Sequence, residues 1–144
     1  KFAAGCDYRL LIIGNQLVAA ARREPPQVTG DGRRTISELV AEVNLDPRRG
    51  EDHATSLNKI PLDEIARSVL AEQGLTVDSV PAAGQLVLLR RNANLSTGGS
   101  ATDVTDKVHR DVAARAVDAV RMVGLDIAGV DIVASDISMP LESQ

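Results

Sequence analysis

Two apolar runs near the start of the chain are separated by a short polar turn. Residues 8–13 and 17–21 are rich in Leu, Ile, Val and Ala, and the dipeptide Gly14-Asn15 follows the first run. A Gly-Asn pair between apolar runs is typical of a β-hairpin. The pattern predicts such a hairpin, ending before Pro25-Pro26 because proline lacks the N–H group that a β-ladder needs.

Helical periodicity appears at three later places. Thr35 and Glu38 form a capping-box pattern in front of apolar residues spaced for one helical face. Gly74 and Gly124 are stop signals for the other two helices. The predicted helices cover residues 35–44, 62–73 and 110–123. Two pairs four residues apart are expected to form ion pairs on exposed faces: Asp63 with Arg67, and Asp111 with Arg115.

Two further strands are predicted, at residues 86–89 and 126–134. The second alternates between two faces, so that Gly129 and Asp131 share one of them. The polar, aperiodic segments 48–59 and 92–100 are expected to be surface loops. The order strand, strand, helix, helix, strand, helix, strand predicts an α+β domain rather than a regular βαβ series.

Composition narrows the class of protein. Apolar residues make up 44% of the 144 positions and charged residues 25%, as in a globular chain. The net charge of −4 argues against a nucleic-acid-binding surface. No apolar run approaches the roughly 18–20 residues that span a bilayer, so no membrane partner is expected. The single cysteine, Cys6, and the lack of a secretory signal pattern favour a cytoplasmic location.

Two charged residues lie within apolar strands. Asp131 occurs inside the stretch 127–133, and Arg9 lies near the start of the first strand. A buried, unpaired charge is costly. Asp131 is therefore either a structural or solvated residue near a strand end or a ligand for Mg²⁺ or a similar group. Arg9, if it points inward, holds either Asp7 or an anionic substrate.

A segment rich in Arg, Asn and Gly covers residues 90–99. Guanidinium groups and backbone N–H groups near glycines are suited to a phosphate or a carboxylate. The segment matches neither the dinucleotide fingerprint nor the P-loop, and a flexible loop is the competing interpretation. The remaining arginine pairs, including Arg33-Arg34 and Arg48-Arg49, are predicted to be solvated.

Four motifs follow one another in the chain. They are Asp-Tyr-Arg-Leu-Leu at 7–11, Gly-Asp-Gly-Arg-x-Thr-Ile at 30–36, Arg-Arg-Asn-Ala-Asn-Leu-Ser-Thr-Gly-Gly at 90–99 and Gly-Leu-Asp-Ile-Ala-Gly-Val-Asp at 124–131. In this order they resemble the ATP-grasp carboxylate–amine ligases, and among these the cyanophycin synthetase family. The resemblance implies a partial ATP-grasp domain over residues 1–144, truncated at both ends, with a mostly antiparallel sheet, about three helices and a family-specific, lid-like helical insertion at 25–89.

The resemblance also implies an activity. Such enzymes use ATP and Mg²⁺: a substrate carboxylate attacks the γ-phosphate to give an acyl phosphate, which an amine then displaces. In the cyanophycin synthetase family this adds aspartate to a polyaspartate backbone, and a separate region adds arginine to its side chains. The implied partners are ATP, aspartate, arginine and an acidic polymer primer. The whole enzyme is expected to be a homo-oligomer and the 144-residue piece a monomer.

Residue roles follow from the motifs that match. Arg9 would stabilise the acyl phosphate or the tetrahedral intermediate, and Asp131 would be a Mg²⁺ ligand. The residues expected to face phosphate or substrate are Arg91, Asn92, Asn94, Gly98 and Gly99.

Other parts of such a site would lie outside these residues. The ATP-clamping lysines are expected before Lys1, and the Glu-x-Asn metal ligands after Gln144. The purified 144-residue chain is therefore predicted not to turn over; ATP-dependent ligation by it would contradict this. The alternatives are a non-catalytic module that binds an anion or a partner, and an ATP-grasp ligase with another amino-acid substrate.

Overall fold

The computed structural model describes residues 5–50 and 55–144, and their secondary structure is α+β, as predicted. The strands are β1 (Cys6–Ile13), β2 (Gln16–Glu24), β3 (Gln27–Thr29), β4 (Arg49–Gly50), β5 (Leu57–Asn58), β6 (Leu86–Leu88), β7 (Ser100–Asp103) and β8 (Ile127–Ala134). The helices are α1 (Ile36–Val43), α2 (Glu64–Glu72) and α3 (Arg110–Val123). In the described part of the chain, no helix is long and apolar enough to cross a membrane.

The chain divides into two compact units. The first joins the residues up to Arg23 with Ala101–Gln144, and the second spans Glu24–Ser100. The segment 25–89, predicted to be an insertion, lies within the second unit. That this segment is an insertion relative to simpler family members stays a prediction.

In the first unit, a four-stranded sheet packs one face against α3. The strand order is β7-β2-β1-β8, and β1 is antiparallel to both of its neighbours. Leu10 and Ile12 of β1 are fully buried with Val112, Ala116 and Val120 of α3. The predicted hairpin and the predicted helix 110–123 are both confirmed.

A β-bulge changes the register of the hairpin. Near the turn, Ile12 is opposite Leu17, but the next pair is Leu11 with Ala19, so that Val18 is the extra residue. Beyond the bulge, Asp7 is opposite Arg23 and Arg9 is opposite Ala21. The bulge therefore moves Arg23, rather than Arg22, to the same sheet face as Arg9, because side chains alternate between faces along a strand.

The second unit contains two short sheets, β3-β6 and β4-β5, together with α1 and α2. Thr35 and Glu38 form the predicted capping box at the start of α1. Helix α2 begins two residues later than predicted, because Asp63 is its N-cap and accepts a hydrogen bond from the Ala66 N–H. The core of this unit consists of Val28, Ile36, Leu39, Val40, Ile60, Leu70, Val87 and Leu89.

Both predicted ion pairs within helices are wrong, because one member of each pair has a tertiary partner instead. Asp63 binds Arg90, with Oδ2 2.5 Å from Nη2. Arg115 binds Glu142 rather than Asp111. The partners lie 27 residues away in both cases, beyond the reach of an argument from helical spacing.

The predicted loop at 48–59 is only partly irregular. Arg49–Gly50 and Leu57–Asn58 pair as two short parallel strands, and Leu57 is buried. Residues 51–54 of that prediction lie outside the described residues. The segment is therefore packed at both of its described ends.

Candidate functional site

The face of the four-stranded sheet opposite α3 carries charged residues. Because Tyr8, Leu10 and Ile12 face the core, Arg9 lies on the other face of β1. Asp131 of β8 is directly opposite Arg9 in the register and lies on the same face. The two residues singled out in the sequence are thus neighbours in the sheet.

Arg9, Arg23 and Asp131 form one group, here called the Arg–Asp cluster. The Arg9 Nε lies 2.7 Å from the Asp131 Oδ1, and the Arg23 Nη2 donates to the same oxygen at 3.0 Å. The side chains of Arg9 and Asp131 are 48% and 56% exposed, whereas that of Arg23 is only 17% exposed. Two guanidinium groups therefore converge on one oxygen at a solvent-accessible surface.

This geometry corrects two expectations from the sequence. Arg9 does not point inward, because its face of the sheet is open to solvent, and its partner is Asp131 rather than Asp7. Asp131 is not buried and is paired with two arginines. An ion pair as exposed as Arg9–Asp131 contributes only about 0–1 kcal/mol to stability, so this pair adds little to the stability of the fold.

The Arg9 side chain lies over Gly129, in space that a larger residue at position 129 would fill. A Cβ atom at Gly129 would lie 2.6 Å from the Arg9 Nη1 and 3.1 Å from its Cδ, closer than van der Waals contact allows. Gly129 is two residues before Asp131 on β8 and faces the same side of the sheet. The absence of a side chain there allows the guanidinium to lie against the strand and reach Asp131.

Arg23 and Gly129 are functional candidates that sequence reasoning missed. In the sequence Arg23 is one of two adjacent arginines, Arg22-Arg23, and the bulge that decides which of the two joins Arg9 has no clear signal in the sequence. The Arg23 Nε is buried and has no hydrogen-bond partner within the described residues. Strand alternation alone could have identified Gly129, because it lies two residues before Asp131 and residues two apart on a strand share one face of the sheet.

The remaining predicted residues belong to the second unit. Residues 92–99, here called the Asn/Gly loop, contain one 3-10 turn at Leu95–Thr97. Ala93, Gly98 and Gly99 are buried. Gly98 and Gly99 donate their N–H groups to the Leu95 and Asn94 carbonyls at 3.1 Å. The loop is therefore packed and hydrogen-bonded at its two glycines; the alternative that it is flexible stays a prediction.

Asn92 in this loop and Arg91 just before it already have side-chain partners. The Asn92 Oδ1 accepts a hydrogen bond from the Thr97 hydroxyl at 3.1 Å. Arg91 is exposed and paired with Glu72 of α2. Arg9 and Asp131 lie together in the first unit, whereas Arg91, Asn92 and Asn94 lie in the second.

The chemistry of the cluster can be compared with that of a Mg²⁺ site. Asp131 offers one exposed carboxylate, but two guanidinium groups contact it. Among residues 5–50 and 55–144 there is no group of three or more His, Cys, Asp or Glu side chains that could hold a metal ion. A divalent cation needs several oxygen ligands, so these residues do not form a magnesium site by themselves.

The chain was compared with family models, with curated proteins and with solved structures. No family model matches it, whereas both kinds of protein comparison find similar chains. It is 47% identical over 141 residues to a cyanophycin synthetase of Trichormus variabilis, covering 98% of this chain and 16% of that protein. It is 45% identical over 141 residues to a glutathione biosynthesis bifunctional protein of Mannheimia succiniciproducens, covering 98% of this chain and 19% of that protein.

A solved structure shows the same similarity in three dimensions. The crystal structure of a bifunctional glutathione synthetase from Pasteurella multocida matches with a TM-score of 0.81 and 41% identity, covering 97% of this chain and 19% of that one. The chain thus spans less than a fifth of the length of these relatives. It is homologous, over nearly its whole length, to one region of cyanophycin synthetases and bifunctional glutathione-synthesising proteins, a region of the ATP-grasp ligase family.

Proposed function

We propose that this chain supplies part of the active site of an ATP-dependent carboxylate–amine ligase. The observation that carries the proposal is the Arg–Asp cluster, in which one carboxylate orients the half-exposed guanidinium of Arg9 and the largely buried one of Arg23 on the same sheet face. The homology to ATP-grasp ligases supports the reaction class. In such a reaction negative charge develops on the transferred phosphate and on the oxygen of the tetrahedral intermediate that forms when the amine attacks. Cationic donors held in fixed positions stabilise that charge.

Arg9 is the proposed catalytic residue. Its guanidinium is about half exposed, so it can donate to an acyl phosphate or to the tetrahedral intermediate formed when an amine attacks. Asp131 and Gly129 hold the group in place before substrate arrives, which reduces the entropy lost in the transition state. Arg23 is a second donor, anchored by the same carboxylate.

The proposed role of Asp131 as a Mg²⁺ ligand needs further ligands. In this structure its Oδ1 accepts from Arg23 and lies next to Arg9, which is the arrangement of a residue that orients cations. Asp131 would contribute one oxygen to a metal ion, and the others would have to come from groups beyond those described. The first role proposed for Asp131 is therefore to orient Arg9 and Arg23.

The Asn/Gly loop is the proposed second contact to substrate. Arg91, just before the loop, offers a cationic group, and Asn92 and Asn94 offer amide groups. Gly98 and Gly99 are buried and let the loop backbone pack closely against its surroundings. The segment 25–89 is proposed to be a family-specific insertion with lid-like helices. The assignment of the loop rests on the motif at 90–99.

Two substrate sets compete. The proposed reaction is the addition of aspartate to a polyaspartate backbone with ATP, as the resemblance to cyanophycin synthetases implies. The similarity to glutathione biosynthesis proteins, at 42–45% identity, favours glutathione precursors as the second candidate. The two sets of relatives differ too little in identity to decide between them.

The test uses the complete product of the reading frame that encodes this chain. It is incubated with ATP, Mg²⁺ and either aspartate with a polyaspartate primer or glutathione precursors, and ADP and the amide product are quantified. Arg9→Met is expected to lower kcat about 100-fold, as for loss of one transition-state donor. Arg110→Met is the matched control, because Arg110 is 91% exposed and lies on α3, and it should not change kcat.

Two results would contradict the proposal. Equal kcat values for Arg9→Met and the unchanged protein would remove Arg9 from catalysis. The absence of any ATP-dependent amide product, combined with retained binding of an anion such as polyaspartate, would favour the non-catalytic binding module.

A further inference from the structure

Arg49 makes two hydrogen bonds that tie separate segments of the second unit together. Its Nη1 donates to the Asn58 carbonyl at 2.7 Å and to the Gly98 carbonyl at 2.9 Å. Burial lowers the pKa of its guanidinium. The prediction that Arg48 and Arg49 are both solvated is therefore wrong for Arg49, whereas Arg48 is 70% exposed and pairs with Asp46.

The same two segments contact each other closely at Gly98. A Cβ atom at Gly98 would lie 2.8 Å from the Ile60 Cα and 3.0 Å from the Lys59 carbonyl oxygen. Gly98 also has a φ of +93°, a left-handed conformation that side chains disfavour. Segment 57–60 thus packs directly on the turn that ends the Asn/Gly loop.

The partner segment is itself held in place by a helix. The Asn44 side chain at the end of α1 donates to the Ile60 carbonyl at 3.0 Å and accepts from the Ile60 N–H at 2.8 Å. Ile60 is buried in the core of the second unit. The surface against which the Asn/Gly loop rests is therefore rigidly connected to that core.

We propose that Arg49 is a positioning residue for the Asn/Gly loop: by holding the Gly98 carbonyl against segment 57–60, it fixes the backbone that presents Asn92 and Asn94. This rests on the proposed function of that loop as a substrate contact. An arginine suits the task better than a lysine, because its planar donors are pre-organised and lose less freedom for each hydrogen bond.

The loss of Arg49 has two separable consequences. The Gly98 carbonyl loses its donor, so the turn should open more often. Substrate bound by the loop should then bind more weakly, by about tenfold, which corresponds to roughly 1.4 kcal/mol. The chemical step itself involves the first unit in our proposal, so kcat should change much less than KM.

The first measurement is amide hydrogen exchange by NMR on this chain. Arg49→Met is expected to accelerate exchange at Gly98 and Gly99, Arg49→Lys to have an intermediate effect, and Arg48→Met to have none. The control is the backbone N–H of Asn44, which donates to the Val40 carbonyl at the end of α1. Unchanged exchange at this N–H shows that the unit is still folded. If Arg49→Met does not fold, the same comparison is made with Arg49→Lys. Equal exchange at Gly98 in the unchanged chain and in the folded variant would overturn the proposal.

The second measurement is KM against kcat for the complete product of the reading frame. A KM for the amino-acid or polymer substrate raised about tenfold in Arg49→Met, with kcat nearly unchanged and Arg48→Met unaffected, supports the positioning role. Faster exchange at Gly98 with an unchanged KM would show that Arg49 orders the loop but that the loop does not bind this substrate. That result contradicts the proposed function of the loop and, with it, the positioning role.

Discussion

Arg9 and Asp131 face each other across β1 and β8, with the Nε of one 2.7 Å from the Oδ1 of the other. They are 122 residues apart in the chain and become neighbours only when the sheet forms. Both side chains are about half exposed, so the pair is stabilised weakly by Coulomb attraction in water. Its consequence is mainly one of orientation: the guanidinium lies in a defined place on the open face.

The energetic coupling between these two residues should be small and sensitive to salt. A double-mutant cycle with Arg9→Met and Asp131→Asn, measured by urea unfolding of this chain, is expected to give about 0.2–1 kcal/mol at low ionic strength. The value should fall towards zero in about 1 M salt, because exposed charges are screened. A coupling above about 2 kcal/mol would mean that the pair is a stabilising element of the fold.

Gly129→Ala should have different effects with and without the Arg9 side chain. In an Arg9→Met background, alanine in mid-strand is expected to raise the free energy of unfolding by about 0.5–1 kcal/mol. In the unchanged background the gain should be smaller, because the new Cβ displaces the Arg9 guanidinium. The check is urea unfolding of the unchanged chain, the two single variants and the double variant. An equal increase in the free energy of unfolding in both backgrounds would show that the space over Gly129 is not needed for the Arg9 side chain.

The ion pair between Arg90 and Asp63 should respond very differently to removal of either partner. Arg90 is 5% exposed, whereas the Asp63 side chain is 46% exposed. Asp63→Ala leaves a buried, unpaired cation and removes the cap of α2, so a loss of about 3–5 kcal/mol is expected. In Arg90→Met the exposed Asp63 carboxylate can be hydrated by water instead, so the free energy of unfolding should fall by only about 1–2 kcal/mol.

Chemical denaturation of the single and double variants tests this asymmetry. The double variant should be more stable than Asp63→Ala alone, since no buried cation remains. Glu72→Ala is the control, because it removes the partner of the exposed Arg91, and it should change stability by less than about 0.5 kcal/mol. Equal losses for Asp63→Ala and Arg90→Met would contradict the argument.

The same carboxylate predicts how stability depends on pH. The Arg90 guanidinium, followed by the Ala66 N–H, lowers the pKa of Asp63 from 3.8 to about 2. Because the folded-state pKa is below the unfolded one, the stabilisation is fully present above about pH 4 and is lost as pH falls towards 2. The unfolding free energies of the unchanged chain and of Asp63→Asn, compared from pH 5 to 2, should therefore converge; a constant difference would contradict this.

Local signals in the sequence were sufficient for most of the secondary structure. The capping box at Thr35, the apolar stripe of α3 and the Gly-Asn turn each depend on residues within a few positions, and each is confirmed. The alternation of β8 likewise placed Asp131 on the same face as Gly129. Where the expected partner was four residues away, as for Asp63 and Arg115, the tertiary partner was different.

The sequence by itself determined the helices, the hairpin, the homologous family and the two charged residues of the open sheet face. The tertiary structure decided that Arg9 points to solvent, that Asp131 is its partner, that Arg23 rather than Arg22 joins them, and that Arg49 is tied to the Asn/Gly loop. The physical reason is that strand register, including one bulged residue, sets which side chains meet. Register follows from the packing of a whole sheet face, and no short stretch of the chain contains it.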